Sequence, residues 1–282
     1  MNEALSQLAD DFFQNSLNSS PTSAIMRGYK EYFDQIEELT ETRFEQNLED
    51  LDKFEKRLNE IDFNSLSKKE KVTHGMLEYA FASNKDSLHD KSWEFGAGVS
   101  GFTGYLIDYN QQMFIPDLES GDLLLKRLEL YNQFFNQVSL VQKKGLDENR
   151  VATKRNILRT IDQIESYLKT SLDEDPLLLV NFSPKVSEKD ISSWKDKAKL
   201  IIESYVRPSV NSYLEQLKIA HLPKGRSDTN PGIMWIEGGE DIYLRSLRKF
   251  TGNKDITVQE VHETGLSEIE RLKKEFFEIG KN

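Results

Sequence analysis

The sequence contains no cysteine. That excludes disulfides, cysteine-based zinc sites and thiol nucleophiles, and it leaves the redox compartment open. No stretch approaches the roughly 20 consecutive apolar residues of a membrane span. The start, MNEALSQ, lacks the basic residues and apolar core of a secretory signal. A cytoplasmic protein is therefore expected from the chain as written, and a periplasmic protein or lipoprotein if a signal has been removed. Basic residues are in deficit, 37 against 48 acidic ones, for a net charge of −11. Such a surface repels phosphate backbones, so nucleic acid is excluded as a partner class. No basic amphipathic segment points to an anionic membrane. Prolines number only 7, few enough to leave long helices uninterrupted.

What is present reads as helix. Hydrophobic residues make up 37% of the 282 positions and are spread along the chain, enough for a sizeable core. From Leu39 to Ile61, Phe44, Leu48, Leu51, Phe54, Leu58 and Ile61 recur at spacings of three and four. They draw one apolar stripe along a charged rod. Ser67 followed by Glu70 predicts a capping box for the next helix, with Val72, Met76, Tyr79 and Ala80 facing inward. Residues 91–118, rich in glycine and aromatics, read as a long irregular loop, and Asp117 to Gly121 as a turn. Leu124, Leu128, Tyr131, Phe135 and Val138 mark one helix ending near Gly145. Ile157, Ile161, Ile164 and Leu168 mark another that begins near Glu148 and is stopped by DEDP (173–176). A long helix from about Ser187 to Ala220 carries Trp194, Ala198, Ile201, Tyr205, Tyr213 and Leu217 and should kink or break at Pro208. The segment 221–241 is the clearest connection, with a short strand expected near 232–236. A second capping box, Thr257 with Glu260, starts a final helix whose buried face is expected to be Val258, Val261, Leu266, Ile269, Leu272, Phe276 and Ile279. The fold class is all-α, built of long antiparallel helices, as a single helical domain or half-domain over 1–282.

Local motifs supply no complete catalytic constellation. The final helix carries His262-Glu263. A zinc helix of the His-Glu-x-x-His kind needs a second imidazole four residues on. Leu266 stands there, so a partly buried histidine that bonds a neighbour is the expected role. His74, His89 and His221 fall in other segments. Gly96-x-Gly98-x-x-Gly101 spells a dinucleotide fingerprint, but no strand precedes it and Pro116 soon follows, so a tight loop is expected. Glu237, Glu240 and Asp241 cluster beside Gly238 and Gly239. Carboxylates there could bind a hard cation or do acid–base work. Their place before a helix fits its positive end better.

Two stretches carry a resemblance. Residues 238–280 place Gly239, Tyr243, Thr251, Thr257, Val261, His262, Gly265, Leu266, Glu268, Ile269 and Leu272 where the bacterial family called domain of unknown function 885 has matching residues. Residues 20–40 resemble that family's N-terminal segment through Pro21, Ala24, Gly28 and Tyr32. The middle helices fit more loosely. The family resembles helical zinc peptidases of the gluzincin type, whose His-Glu zinc helix lies in a C-terminal half.

The resemblance implies that this chain is the N-terminal helical part of a zinc-dependent hydrolase. It would wall one side of a cleft that takes a peptide substrate, with a C-terminal half as its partner. It implies zinc for the whole protein but supplies neither metal ligands nor a catalytic residue here. Alone, such a chain would be inactive. Tyr243 and His262 are the residues expected to face the cleft. The alternative is a stand-alone, non-enzymatic helical binding or scaffold protein.

Overall fold

The computed structural model describes residues 2–96 and 109–281. It is mainly helical, and it divides into a unit from Met1 to Pro231 and one from Gly232 to Asn282.

The first unit opens with α1 (Glu3–Ser19), capped by the Asn2 side chain, and the short α2 (Pro21–Met26). α3 (Glu41–Asn59) is capped by Thr40. α4 (Lys68–Asp90) begins at the predicted Ser67/Glu70 capping box. The Glu70 carboxylate also accepts from the Asn2 backbone, tying the start of α1 to that of α4. The Ser67 hydroxyl and the Asn2 and Ser67 N–H groups hold its pKa down at about 2. Leu5 and Leu8 of α1, Leu51, Phe54 and Leu58 of α3, Leu66, and Leu77 and Phe81 of α4 form a small core. The expected inward face of α4 is therefore wrong: Val72, Met76 and Tyr79 are exposed. This helix carries apolar residues on two sides, and only its neighbours decide which is buried.

The larger core belongs to α5 (Leu118–Glu129), α6 (Tyr131–Asp147), α7 (Lys154–Lys169) and a long rod. Asp117 caps α5 rather than forming a turn, its carboxylate accepting from Ser120 N at 2.9 Å. A break at Leu130 divides the expected single helix into α5 and α6. All five residues of the predicted stripe are buried. α7 starts just after Thr153, later than expected, because the Thr153 hydroxyl caps it by accepting from Asn156 N. The rod comprises α8 (Glu188–Ile201), a π turn (Ile202–Val206), α9 (Arg207–Gln216) and a second π turn (Leu217–His221), then runs on to Lys224.

Pro208 does not break this rod. Arg207 N–H bonds to Ile202 O, five residues back, and the widened turn takes up the missing donor and the ring. The second π turn repeats the device: Leu222 N–H bonds to Leu217 O, and Pro223 follows. Trp194 of α8 is buried and donates its indole N–H to Gly121 O at 2.7 Å. Within the span expected to be irregular, Ser92–Phe95 form a 3₁₀ turn and residues 109–112 are helical. β1 (Phe114–Ile115) then pairs in parallel with β2 (Asn181–Phe182). Gly98 and Gly101 of the expected tight loop lie outside the described residues.

In the second unit, Ile233–Trp235 form a 3₁₀ turn where a strand was expected. Trp235 N–H reaches Gly232 O inside the turn, so no extended ladder can form. α10 (Gly239–Thr251) follows, then α11 (Val258–Ile279) with the predicted Thr257/Glu260 box. Gly238 adopts φ +69°, and a Cβ on Gly239 would sit 1.8 Å from Ile233 O. The paired glycines thus let α10 start against the preceding turn. α11 departs from expectation more sharply: none of its residues is buried. Val258, Leu266, Ile269, Leu272, Phe276 and Ile279 are 41–71% exposed. An amphipathic stripe marks a face able to be buried; it does not supply the surface that buries it.

Gly145 of α6 tests the closest packing in the first unit. A Cβ there would stand 2.3 Å from Glu94 O and 2.9 Å from Arg150 O, both backbone atoms. Gly145→Ala should destabilise the protein by about 1–3 kcal/mol, read as a lowered urea midpoint. An unchanged midpoint would refute the close approach.

Candidate functional site

Three segments of the first unit enclose a cavity of about 360 Å³. One wall is the start of α3, where Phe44 and Leu48 continue the stripe that buries Leu51 and Phe54 deeper in the bundle. The second is the end of α4 and the following turn, with Leu88, His89 and Trp93. The third is α6, with Leu140, Val141 and the stem of Lys144. The Gln137 side chain of α6 accepts from Leu39 N at 2.9 Å and fixes the entry to α3. The size falls in the range of small-ligand pockets, about 300–1,000 Å³, and the lining is chiefly apolar.

The turn is positioned with unusual firmness. α4 ends at Lys91 in a left-handed conformation, φ +46°. Glu94 is buried, and its Oε2 accepts from Arg150 Nε at 2.6 Å. Arg150 also donates to Asp90 O at 2.5 Å and lies over the Phe95 ring at 5.2 Å. With the carboxylate held, Trp93 stacks on Phe44, ring centroids 3.8 Å apart and planes 18° apart. The two rings form a flat aromatic wall.

Charge at the cavity is mixed. Lys144 bridges to Glu41. The hydrogen bond to the Lys144 ammonium lowers the Glu41 pKa, and the same bond raises that of Lys144, so both are charged at neutral pH. Glu94 Oε1 lies 4.0 Å from Lys91 Nζ, longer than a hydrogen bond. Glu45 lines the cavity, is exposed, and makes no ion pair among the described residues. The site offers shape, apolar surface and charged groups of both signs.

The residues singled out from sequence lie elsewhere. Tyr243 on α10 is 43% exposed and His262 on α11 is exposed, both in the second unit. Glu240 and Asp241 occupy the first turn of α10, where its unpaired N–H groups favour carboxylates. Of the other histidines, His89 lines the cavity, His74 packs edge-on against Phe63, and His221 is buried in the second π turn. The described residues do not fit a zinc ion: no three His, Asp or Glu side chains gather among them. None of the cavity residues stood out as a site in the sequence. The one available signal was Glu94 between Trp93 and Phe95, a carboxylate flanked by rings.

His221 offers a pH test. Burial lowers its pKa below 6.5, while its Nδ1 lies 3.3 Å from Gln216 O. The unfolded chain therefore takes up a proton near pH 6.5 that the folded one resists, and stability falls as pH drops through 6.5. Urea midpoints of His221→Gln should fall less steeply than wild type between pH 7 and 5. The difference is at most about 1.4 kcal/mol per pH unit. Parallel pH profiles would remove this role.

A solved structure shares the architecture. The chain superposes on the crystal structure of a "putative lipoprotein" from Colwellia psychrerythraea with a TM-score of 0.76 and 15% identity. The match covers 95% of this chain and 50% of that one, so the chain spans half the length of the structure it matches. No curated protein matches the sequence. The profile of one family, described as bacterial protein of unknown function (DUF885), matches residues 21–282, and the chain belongs to that family.

Proposed function

We propose that this chain is the N-terminal helical part of a larger zinc-dependent hydrolase acting on peptides, contributing binding surface rather than the reacting groups. The observation that carries this reading is the exposed stripe of α11, six large apolar residues on 22 residues of helix. An apolar face of that length is the kind that a further folded segment covers. The half-length superposition on the Colwellia structure supports it. Metal ligands would come from that further segment, since no three candidate ligands gather among the described residues, and the general base is proposed to come with them. No catalytic step is assigned to this chain. Tyr243 and His262 are proposed to face the cleft between the two parts. The lipoprotein description of the Colwellia structure favours an exported whole protein over a cytoplasmic one.

The test is the intact mass of the native gene product in its source cells. The chain accounts for 32.7 kDa. A mass near twice that is expected; a mass equal to it would overturn the half-protein reading and favour a stand-alone binding protein. Fractionation of the same cells should place the product in the envelope. Recovery wholly in the cytoplasm would sink the exported assignment.

A further inference from the structure

We infer that the cavity between α3, α4 and α6 binds an uncharged, flat aromatic molecule that carries one N–H or O–H donor, of the indole or phenol kind. Glu94 sets the donor. This side chain is 3% exposed, lines the cavity, and gives one carboxylate oxygen, Oε2, to Arg150 Nε. The other, Oε1, accepts no hydrogen bond among the described residues, and Lys91 Nζ stands 4.0 Å from it. A carboxylate oxygen in an apolar wall costs free energy until a donor meets it, and beside a guanidinium it serves as an acceptor only. Water can meet it. A ligand that donates in place of water keeps the bond and buries its own apolar surface as well. The rings set the flat body. Trp93 and Phe44 stack on one another, both are half-buried, and both line the cavity, so a third ring can continue the stack. Leu140 and Val141 complete an enclosure of about 360 Å³. Balance sets the absence of charge. Glu41 pairs with Lys144 and Glu94 with Arg150. The charged groups then left in the lining, Glu45 and Lys91, are of opposite sign. A cation and an anion alike find no net counter-charge there, and either gives up hydration on entering.

The inference goes beyond the proposed function and does not rest on it, because every residue it uses lies in the first unit. Its test is separate from the intact mass: a product of 32.7 kDa that binds indole would leave this inference standing and remove the half-protein reading.

Calorimetric titration of the full chain with indole and benzofuran isolates the donor, because the two share one outline and differ by a ring N–H against a ring oxygen. Indole should bind about tenfold more tightly. Tryptamine and indole-3-acetate, which add a charge of either sign, should bind no more tightly than indole. Glu94→Gln should cut the preference for indole to about threefold or less, with circular dichroism reporting whether the variant folds. Leu140 is 68% exposed on α6, so Leu140→Trp tests the place without touching the buried pair. It should fill the cavity with the fold intact and abolish binding of both ligands. If Glu94→Gln does not fold, the comparison in the unaltered chain and Leu140→Trp decide. Absence of heat with indole at millimolar concentration, equal affinity for indole and benzofuran, or a charged analogue that outbinds indole would each overturn the inference. So would an undiminished preference in folded Glu94→Gln, or full indole affinity in folded Leu140→Trp.

Discussion

The buried Glu94–Arg150 pair is the constraint on which the candidate site depends. Burying two charges costs free energy that their attraction recovers only with good geometry and further hydrogen bonds. Here the guanidinium also holds Asp90 O, so it clamps both the last turn of α4 and the turn after it. Gly145 allows that turn to lie against α6, where any side chain would strike Glu94 O. The clamped turn carries Trp93, the neighbouring residue, whose ring lies flat against Phe44. The aromatic wall is thus set by a charge pair behind it.

The same device recurs twice. Arg127 of α5 is buried, donates to Gln35 O and to Thr22 Oγ1, and lies 3.7 Å from Glu37. Arg207 of α9 donates to Thr170 O at 2.8 Å and to the buried Asp175 at 2.9 Å. Each arginine joins a carbonyl left open where the chain turns to a carboxylate from a nearby segment. A guanidinium suits this task because its fixed fork of donors can serve both acceptors at once. Burial and the Asp175 charge push the Tyr167 phenol upward, and Arg207 lies over its ring at 5.7 Å. These clamps hold the irregular connections while the apolar stripes hold the helices.

Much of the fold was legible because it is written locally. The stripe of α3 and the two capping boxes need only spacings of three and four within one segment. Burial was less legible. α4 has Leu77 and Phe81 on one side and Val72, Met76 and Tyr79 on another, and periodicity cannot choose between them. Pro208 signals a break, yet a five-residue hydrogen-bond step keeps the rod continuous. The cavity was not legible at all. Its walls come from residues 39–48, 88–94 and 137–144, each ordinary alone, and Phe44 and Leu48 read as core because they extend a core stripe.

That last point bears on how such a fold acquires a site. α3 uses one stripe for two purposes: Leu51, Phe54 and Leu58 face a closed core, and Phe44 and Leu48 face open space two turns earlier. The helix need not change its pattern for this; the opposing surface has only to be withdrawn. The clamped turn after α4 does that, standing Trp93 against Phe44 and leaving room beyond it. α11 carries the same logic to its limit, an apolar stripe with no residue buried. In both places the sequence specifies an apolar face by periodicity, and the function of that face is decided by what the rest of the protein sets opposite it.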